Sequence, residues 1–245
     1  MLTRRYGVEG AFGMSISTAK LRAVFPFFRE MDPDLLARIA SRMTEKVICR
    51  GTLIFLEGAD GEEVYFLVSG AVMVSTLNKT KKVVFSILRE GELFGEIALI
   101  SKKAGRTATV ETLTQTRLFA LNKNDFCQLV EQERDFVHYL LLNMMERLTY
   151  ANQKIYDLTF LSVRSRIIKQ LLQLHDHRFA ADRTDPEAAA PRLTHQQLAD
   201  MVGAVRETVS KILQELQEEG MIAIRNRQIL LTDPALLRRK LEEES

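Results

Sequence analysis

Seven of the twelve glycines stand between Gly51 and Gly105, and no proline occurs between Pro33 and Pro186. Gly51, Gly58, Gly61, Gly70, Gly91, Gly95 and Gly105 separate short apolar, β-branched runs at residues 47–48, 53–56, 64–68, 71–74, 83–88, 108–110 and 116–121. Glycine at this spacing marks turns between strands. The stretch is therefore restricted to many short strands, in a small antiparallel sandwich or barrel. Ahead of it, residues 34–44 read as a helix with Leu35, Leu36, Ile39, Ala40 and Met43 on one side. Residues 1–20 read as a loose arm.

Beyond Asn122 the period changes. Val137, Leu141, Met144, Leu148, Ala151, Ile155 and Leu158 recur at spacings of 4, 3, 4, 3, 4 and 3, with no glycine or proline between them. That is an a/d heptad seam on a helix over residues 135–159. Such a seam has to be covered, either by its own barrel or by a second copy of the chain. The strict a/d spacing is narrower than a globular face needs, which favours a two-stranded coiled coil and a homodimer. After Ser162, Ile167, Ile168, Leu171, Leu172 and Leu174 mark another helix, and residues 175–191 a polar loop. Helices follow over 193–202 and 205–216, then a hairpin over 221–224 and 228–231. Asp233 caps a terminal helix with Pro234 at its first position.

Composition narrows the function. Lys and Arg total 34 against 32 Asp and Glu, a net charge of +2, which neither requires nor excludes nucleic acid. Two cysteines, Cys49 and Cys127, exclude a disulfide framework and a four-thiolate metal or iron–sulfur site. The apolar runs fall well short of the ~20 residues that span a bilayer. Arg4 and Arg5 are not followed by the apolar core of a secretory signal. The expectation is a cytoplasmic protein without a membrane partner. No nucleophile–base arrangement is legible, so an enzyme is not expected. His175-Asp176-His177 reads as solvated loop rather than a metal pair.

The C-terminal segment carries a second logic. Thr194 and Gln197 form a capping box, and Gly203 supplies a tight turn. With Val209, Ile212, Leu213 and Leu216 facing inward, Arg206, Glu207, Ser210 and Lys211 face outward. Arg can fork onto guanine and Glu can accept from cytosine. Arg225 and Arg227 on the hairpin suit phosphate contacts. Residues 192–231 hold five basic and five acidic side chains, so charge alone fits a plain helical hairpin equally well. The run Leu193-Thr194-His195-Gln196-Gln197-Leu198-Ala199-Asp200-Met201-Val202-Gly203, then Val205-Arg206-Glu207-Thr208-Val209-Ser210-Lys211, resembles the winged helix-turn-helix of the cyclic-AMP receptor protein family, the CRP/FNR superfamily. The resemblance implies binding to double-stranded DNA, with Arg206 and Glu207 reading a G·C pair in a TGTGA-like half-site. Lys211 stands where the family has a further base-reading arginine, and lysine lacks the bidentate fork.

Phe94-Gly95-Glu96-Ile97-Ala98-Leu99, followed by Arg106-Thr107-Ala108, has the makings of an anion site. Gly95 permits close approach, a short helical turn would aim N–H groups, and Arg106 with Thr107 could clamp a phosphate. Glu96 would repel that anion unless it serves another group, and spacing alone equally fits an exposed Arg–Glu pair at a barrel turn. The segment resembles the phosphate-binding cassette of cyclic-nucleotide-binding domains. The resemblance implies that Glu96 accepts the ribose 2′-hydroxyl and that Arg106 and Thr107 hold the cyclic phosphate. It gives Gly95 and Ala98 backbone N–H contacts. On the long helix the family's Thr-Ser pair for adenine is replaced by Ala151-Asn152, leaving Asn152 to read the base, with Ser86 and Arg147 as weaker candidates on the purine side. Cyclic AMP is the first expectation, cyclic GMP the second and a cyclic dinucleotide the third. No other cofactor is expected; haem would have only Cys49 or His138 as axial ligands.

The resemblance runs from residue 21 to 231. It implies an α+β chain: an arm at 1–20, an N-terminal antiparallel β-roll at 21–134 that binds the cyclic nucleotide, a long dimerisation helix at 135–160 and a winged helix-turn-helix at 161–245. The function implied is a homodimeric transcription regulator switched by a cyclic nucleotide, with RNA polymerase as a further partner. The alternatives are a regulator of the same fold with another effector, or one active without ligand.

Overall fold

The computed structural model describes residues 8–9, 16–78, 81–101, 105–176, 193–225 and 228–243. The N-terminal part opens with β1 (Val8–Glu9), α1 (Thr18–Val24), a 3-10 turn (Pro26–Arg29) and α2 (Pro33–Arg42). The strands β2 (Thr44–Ile48), β3 (Leu53–Phe55), β4 (Glu63–Ser69), β5 (Ala71–Asn78), β6 (Lys81–Arg89) and β7 (Leu93–Phe94) follow. Then come α3 (Ile97–Ile100), β8 (Thr109–Thr112), β9 (Thr116–Asn122), α4 (Lys123–Gln132) and the long α5 (Arg134–Phe160). One sheet has the order β1-β2-β9-β4-β7 and the other β3-β8-β5-β6.

β4 shows why its sequence reads as one unbroken apolar run. Alternate residues of a strand face opposite sides. Val64, Phe66 and Val68 enter a core with Phe25, Phe28, Phe119, Phe126 and Phe136. Tyr65 and Leu67 enter a second core with Val72, Phe94, Val110 and Leu118. Phe25 meets Phe66 edge to face at 5.5 Å, a favoured aromatic geometry.

Of the loose arm expected over residues 1–20, residues 8–9 and 18–20 belong instead to β1 and α1. Val8 and Glu9 pair with Ile48 and Val47, Thr18 starts α1, and Leu21 is fully buried. Polar residues between the apolar ones hid this one-sided helix. α2 ends at Arg42, not Thr44. Asp32 caps it by accepting from the Asp34 and Leu35 N–H groups, and Met43 turns extended to lead into β2. The two-residue β7 was too short to register as a periodic run.

α6 (Val163–Asp176), α7 (His195–Val202), α8 (Arg206–Glu218), the hairpin β10 (Ile222–Arg225) with β11 (Gln228–Leu231), and α9 (Pro234–Glu243) complete the chain. Their shared core gathers Ile167, Ile168, Leu171, Leu198, Val209, Leu213, Leu216 and Leu237. The chain divides into two compact units, residues 1–76 with 86–147 and residues 77–85 with 148–245.

α5 buries Phe136 and Leu140 and then leaves its seam open. Leu141, Leu148, Ile155 and Leu158 are 57, 62, 63 and 48% exposed. Val137 and Met144 are half-buried and Ala151 is exposed. Among the described residues no helix is long and apolar enough to cross a membrane.

Lys154 turns off the seam and donates from Nζ to the Val84 carbonyl at 2.7 Å, within the second unit. Burial pulls its ammonium down from 10.5 to about 8, against the opposing pull of the Asp157 carboxylate. Between those values the unfolded chain holds a proton that the folded chain has released, so stability rises with pH there. Wild-type protein should gain thermal stability over a Lys154→Met variant as pH rises from 8 to 10.5. A pH-independent difference in melting temperature would contradict this assignment.

Candidate functional site

The cassette is built where β7 turns into α3. Gly95 has φ of +89°, a conformation glycine adopts freely, and a Cβ there would stand 2.5 Å from Arg106 Nη1. The missing side chain is what admits the guanidinium. Arg106 is 5% exposed and donates from Nη1 to the Gly95 carbonyl at 2.9 Å and from Nη2 to the Glu63 carbonyl at 2.8 Å. Its guanidinium carbon lies 4.2 Å from the centre of the Phe55 ring. Burial draws the Arg106 guanidinium down from its ordinary value, while the neighbouring acidic groups Tyr65, Glu63 and Glu96 act in the opposite direction. Glu63 is held by Lys46 Nζ at 2.6 Å and by the Tyr65 hydroxyl at 2.8 Å. Burial, then the Glu63 carboxylate, pushes that phenol well above its usual range.

Glu96, 2% exposed, directly precedes α3. Its Oε1 accepts from Arg147 Nη1 at 2.8 Å, and Arg147 Nη2 also donates to the Leu93 carbonyl. Arg147, read from sequence as a purine-side candidate, thus meets the carboxylate that the resemblance assigns to ribose. Three buried atoms of the site have no hydrogen-bond partner among the described residues: the acceptor Glu96 Oε2 and the donors Arg106 Nε and Arg147 Nε. Buried polar atoms are ordinarily paired. An acceptor and a donor orphaned in one cassette suit a ligand that brings a hydroxyl and an anion. Ala98 lies in α3, half-buried, and Thr107 is exposed beside Arg106. Ser86 is half-buried on β6 and Asn152 exposed on α5.

The helix-turn-helix follows its sequence closely. Thr194 Oγ1 accepts from the Gln197 N–H at 3.1 Å, and Gln197 Oε1 accepts from the Thr194 N–H at 2.9 Å. Thr194 therefore acts as the cap of α7. Gly203 closes α7 in the left-handed conformation, φ +68°. Arg206, Glu207 and Lys211 are exposed at the start of α8, and Lys211 lies 3.9 Å from Glu215. Ser210 does not point freely outward. Its hydroxyl is 2.8 Å from His195 Nδ1, which ties α7 to α8. The His195–Ser210 pair was not legible in the sequence, since fifteen residues separate its members. Arg225 is exposed on β10; Arg227 lies outside the described residues.

A β-roll carrying such a cassette, followed by a long helix and a winged helix-turn-helix, defines a cyclic-nucleotide-binding, DNA-binding regulator. The family pattern of the cyclic nucleotide-binding domain matches residues 45–133, and that of the Crp-like helix-turn-helix domain residues 165–240. The chain is 27% identical over 214 residues to the CRP-like cAMP-activated global transcriptional regulator of Mycobacterium tuberculosis, covering 87% of this chain and 95% of that one. It is 29% identical over 203 residues to the cAMP-activated global transcriptional regulator CRP of Escherichia coli, covering 82% and 95%. A solved transcriptional regulator of the CRP family from Thermus thermophilus superimposes with a TM-score of 0.69 at 26% identity, covering 80% of this chain and 96% of that one. The chain belongs to the CRP/FNR family of transcription regulators.

Proposed function

We propose that this regulator works as a homodimer, takes cyclic AMP as its effector and binds a palindromic TGTGA-like DNA site. The observation that carries the reading is the pair of orphaned atoms in the cassette, Glu96 Oε2 and Arg106 Nε. A ribose hydroxyl can donate to the carboxylate while a cyclic phosphate accepts from the guanidinium, with Thr107 adding a hydroxyl. Glu96 and Arg106 fit the ribose phosphate whatever base it bears. Cyclic AMP is the effector named for the relatives in M. tuberculosis and E. coli. Asn152, which can donate or accept, is the group proposed to read the base.

A ligand can switch the protein only by binding one of two states more tightly. The effector is proposed to favour the state in which the two recognition helices of the dimer meet successive major grooves, about 34–36 Å apart. The protein is proposed to act in the cytoplasm, without an enzymatic step, and to contact RNA polymerase. Arg206 would fork onto a guanine and Glu207 accept from a cytosine; Arg225 and Arg227 would hold phosphates.

A gel shift on a TGTGA palindrome tests the whole reading. A complex should form in the presence of cyclic AMP and be lost without it. A tight, specific complex that ignores the nucleotide would favour a ligand-independent regulator of the same fold. Arg206→Ala should cost about 1–3 kcal/mol and relax base choice at one position of each half-site. Equal weakening on every sequence would reduce Arg206 to a phosphate contact.

A further inference from the structure

A cleft in the second unit lies between the last turns of α5, the middle of α6 and the end of α7. Lys154, Arg166 and Lys169 line it against a single carboxylate, Asp157. Lys169 Nζ donates to Asp157 at 2.7 Å and Lys154 Nζ to the Val84 carbonyl at 2.7 Å, which leaves each ammonium further protons to give. The Arg166 guanidinium has no hydrogen-bond acceptor among the described residues, and its Nε is buried without one. Gln170 also lines the cleft. The residue is 9% exposed, and its side-chain amide makes no hydrogen bond among the described residues, although unlike Arg166 Nε it is not sealed from solvent. Two cations with spare protons, a guanidinium whose buried Nε is unpartnered, and an amide line one space. Buried donors of this kind require an acceptor.

We propose that this cleft is a binding site for a small free oxyanion of the phosphate class, separate from the cassette. The guanidinium offers the fork that suits such an oxyanion, and the two lysines add charge without fixed geometry. DNA is not its source: the exposed recognition residues Arg206 and Lys211 do not line the cleft. Its floor includes Met201 and Val202, which immediately precede the Gly203 turn. Arg166 Nη1 lies 3.6 Å from where a Cβ on Gly203 would stand. An oxyanion held by Arg166 would brace the turn that sets the recognition helix. This inference does not depend on the identity of the effector.

The experiment titrates inorganic phosphate into the full-length protein at constant ionic strength, with chloride as reference. It follows the melting temperature and the phosphorus resonance of the ligand. Wild-type and Arg106→Ala proteins should both show a saturable rise, about 5 °C or more at a hundredfold excess over the dissociation constant, and a broadened phosphate line. Arg166→Gln should show neither, and Gln170→Leu a weaker effect, which keeps the test decisive should Arg166→Gln fold poorly. A response abolished in Arg106→Ala but kept in Arg166→Gln would place the anion in the cassette and overturn the proposal. Equal responses in all variants, or none in wild type, would overturn it as well.

Discussion

Replacing Leu148 and Ile155 together by aspartate should yield a folded monomer that no longer holds a palindromic site. Both side chains are more than half exposed in the single chain, so the substitution leaves its two units with their cores intact. In a coiled coil the same positions are knobs in facing holes, and four buried carboxylates would be desolvated without partners. Sedimentation should report half the wild-type mass, with unchanged helical content. Specific DNA affinity should drop about 10²–10⁴-fold, because each half-site then binds alone. The affinity for a single half-site should hardly change. A variant that stays dimeric would mean that the seam is covered by something other than a second copy.

Arg106→Ala should remove nucleotide binding without removing the dimer. Truncating one partner of a buried charged pair costs roughly 2–5 kcal/mol, a loss of about 30- to 4,000-fold in affinity. The same change leaves the Gly95 and Glu63 carbonyls without their donors, a stability cost of about 1–3 kcal/mol. The melting temperature should therefore fall as well, and binding is best read well below it. Arg106→Lys keeps the charge but not the fork, and should recover only part of the affinity. Nucleotide affinity unchanged in Arg106→Ala would show that the guanidinium stays with its two carbonyls and never meets the ligand.

The helix-turn-helix was legible almost residue by residue because its signals are local. The capping box spans Thr194 to Gln197, the turn needs one glycine, and the inward face repeats at helical spacing. The strands of the roll were legible because glycine punctuates them. What escaped was set by tertiary partners. α1 is a helix because Leu21 and its neighbours complete a core built from distant phenylalanines. Ser210 looks outward on a helical wheel, but His195 claims it. In the cassette, spacing could suggest Glu96 and Arg106 but not their states. That Arg147 would take one oxygen of Glu96 and leave the other bare depends on a contact across 51 residues. That Arg106 would lie over Phe55 and be shared by two carbonyls is equally invisible in a linear pattern.

The central claim is that the cassette binds a cyclic nucleotide, and calorimetric titration of the purified wild-type protein addresses it most directly. Cyclic AMP should give a saturable heat with one site per chain and micromolar affinity, and cyclic GMP a weaker one. No heat from either nucleotide, with specific palindrome binding intact, would contradict the account: the orphaned atoms of Glu96 and Arg106 would then serve some other effector, or none.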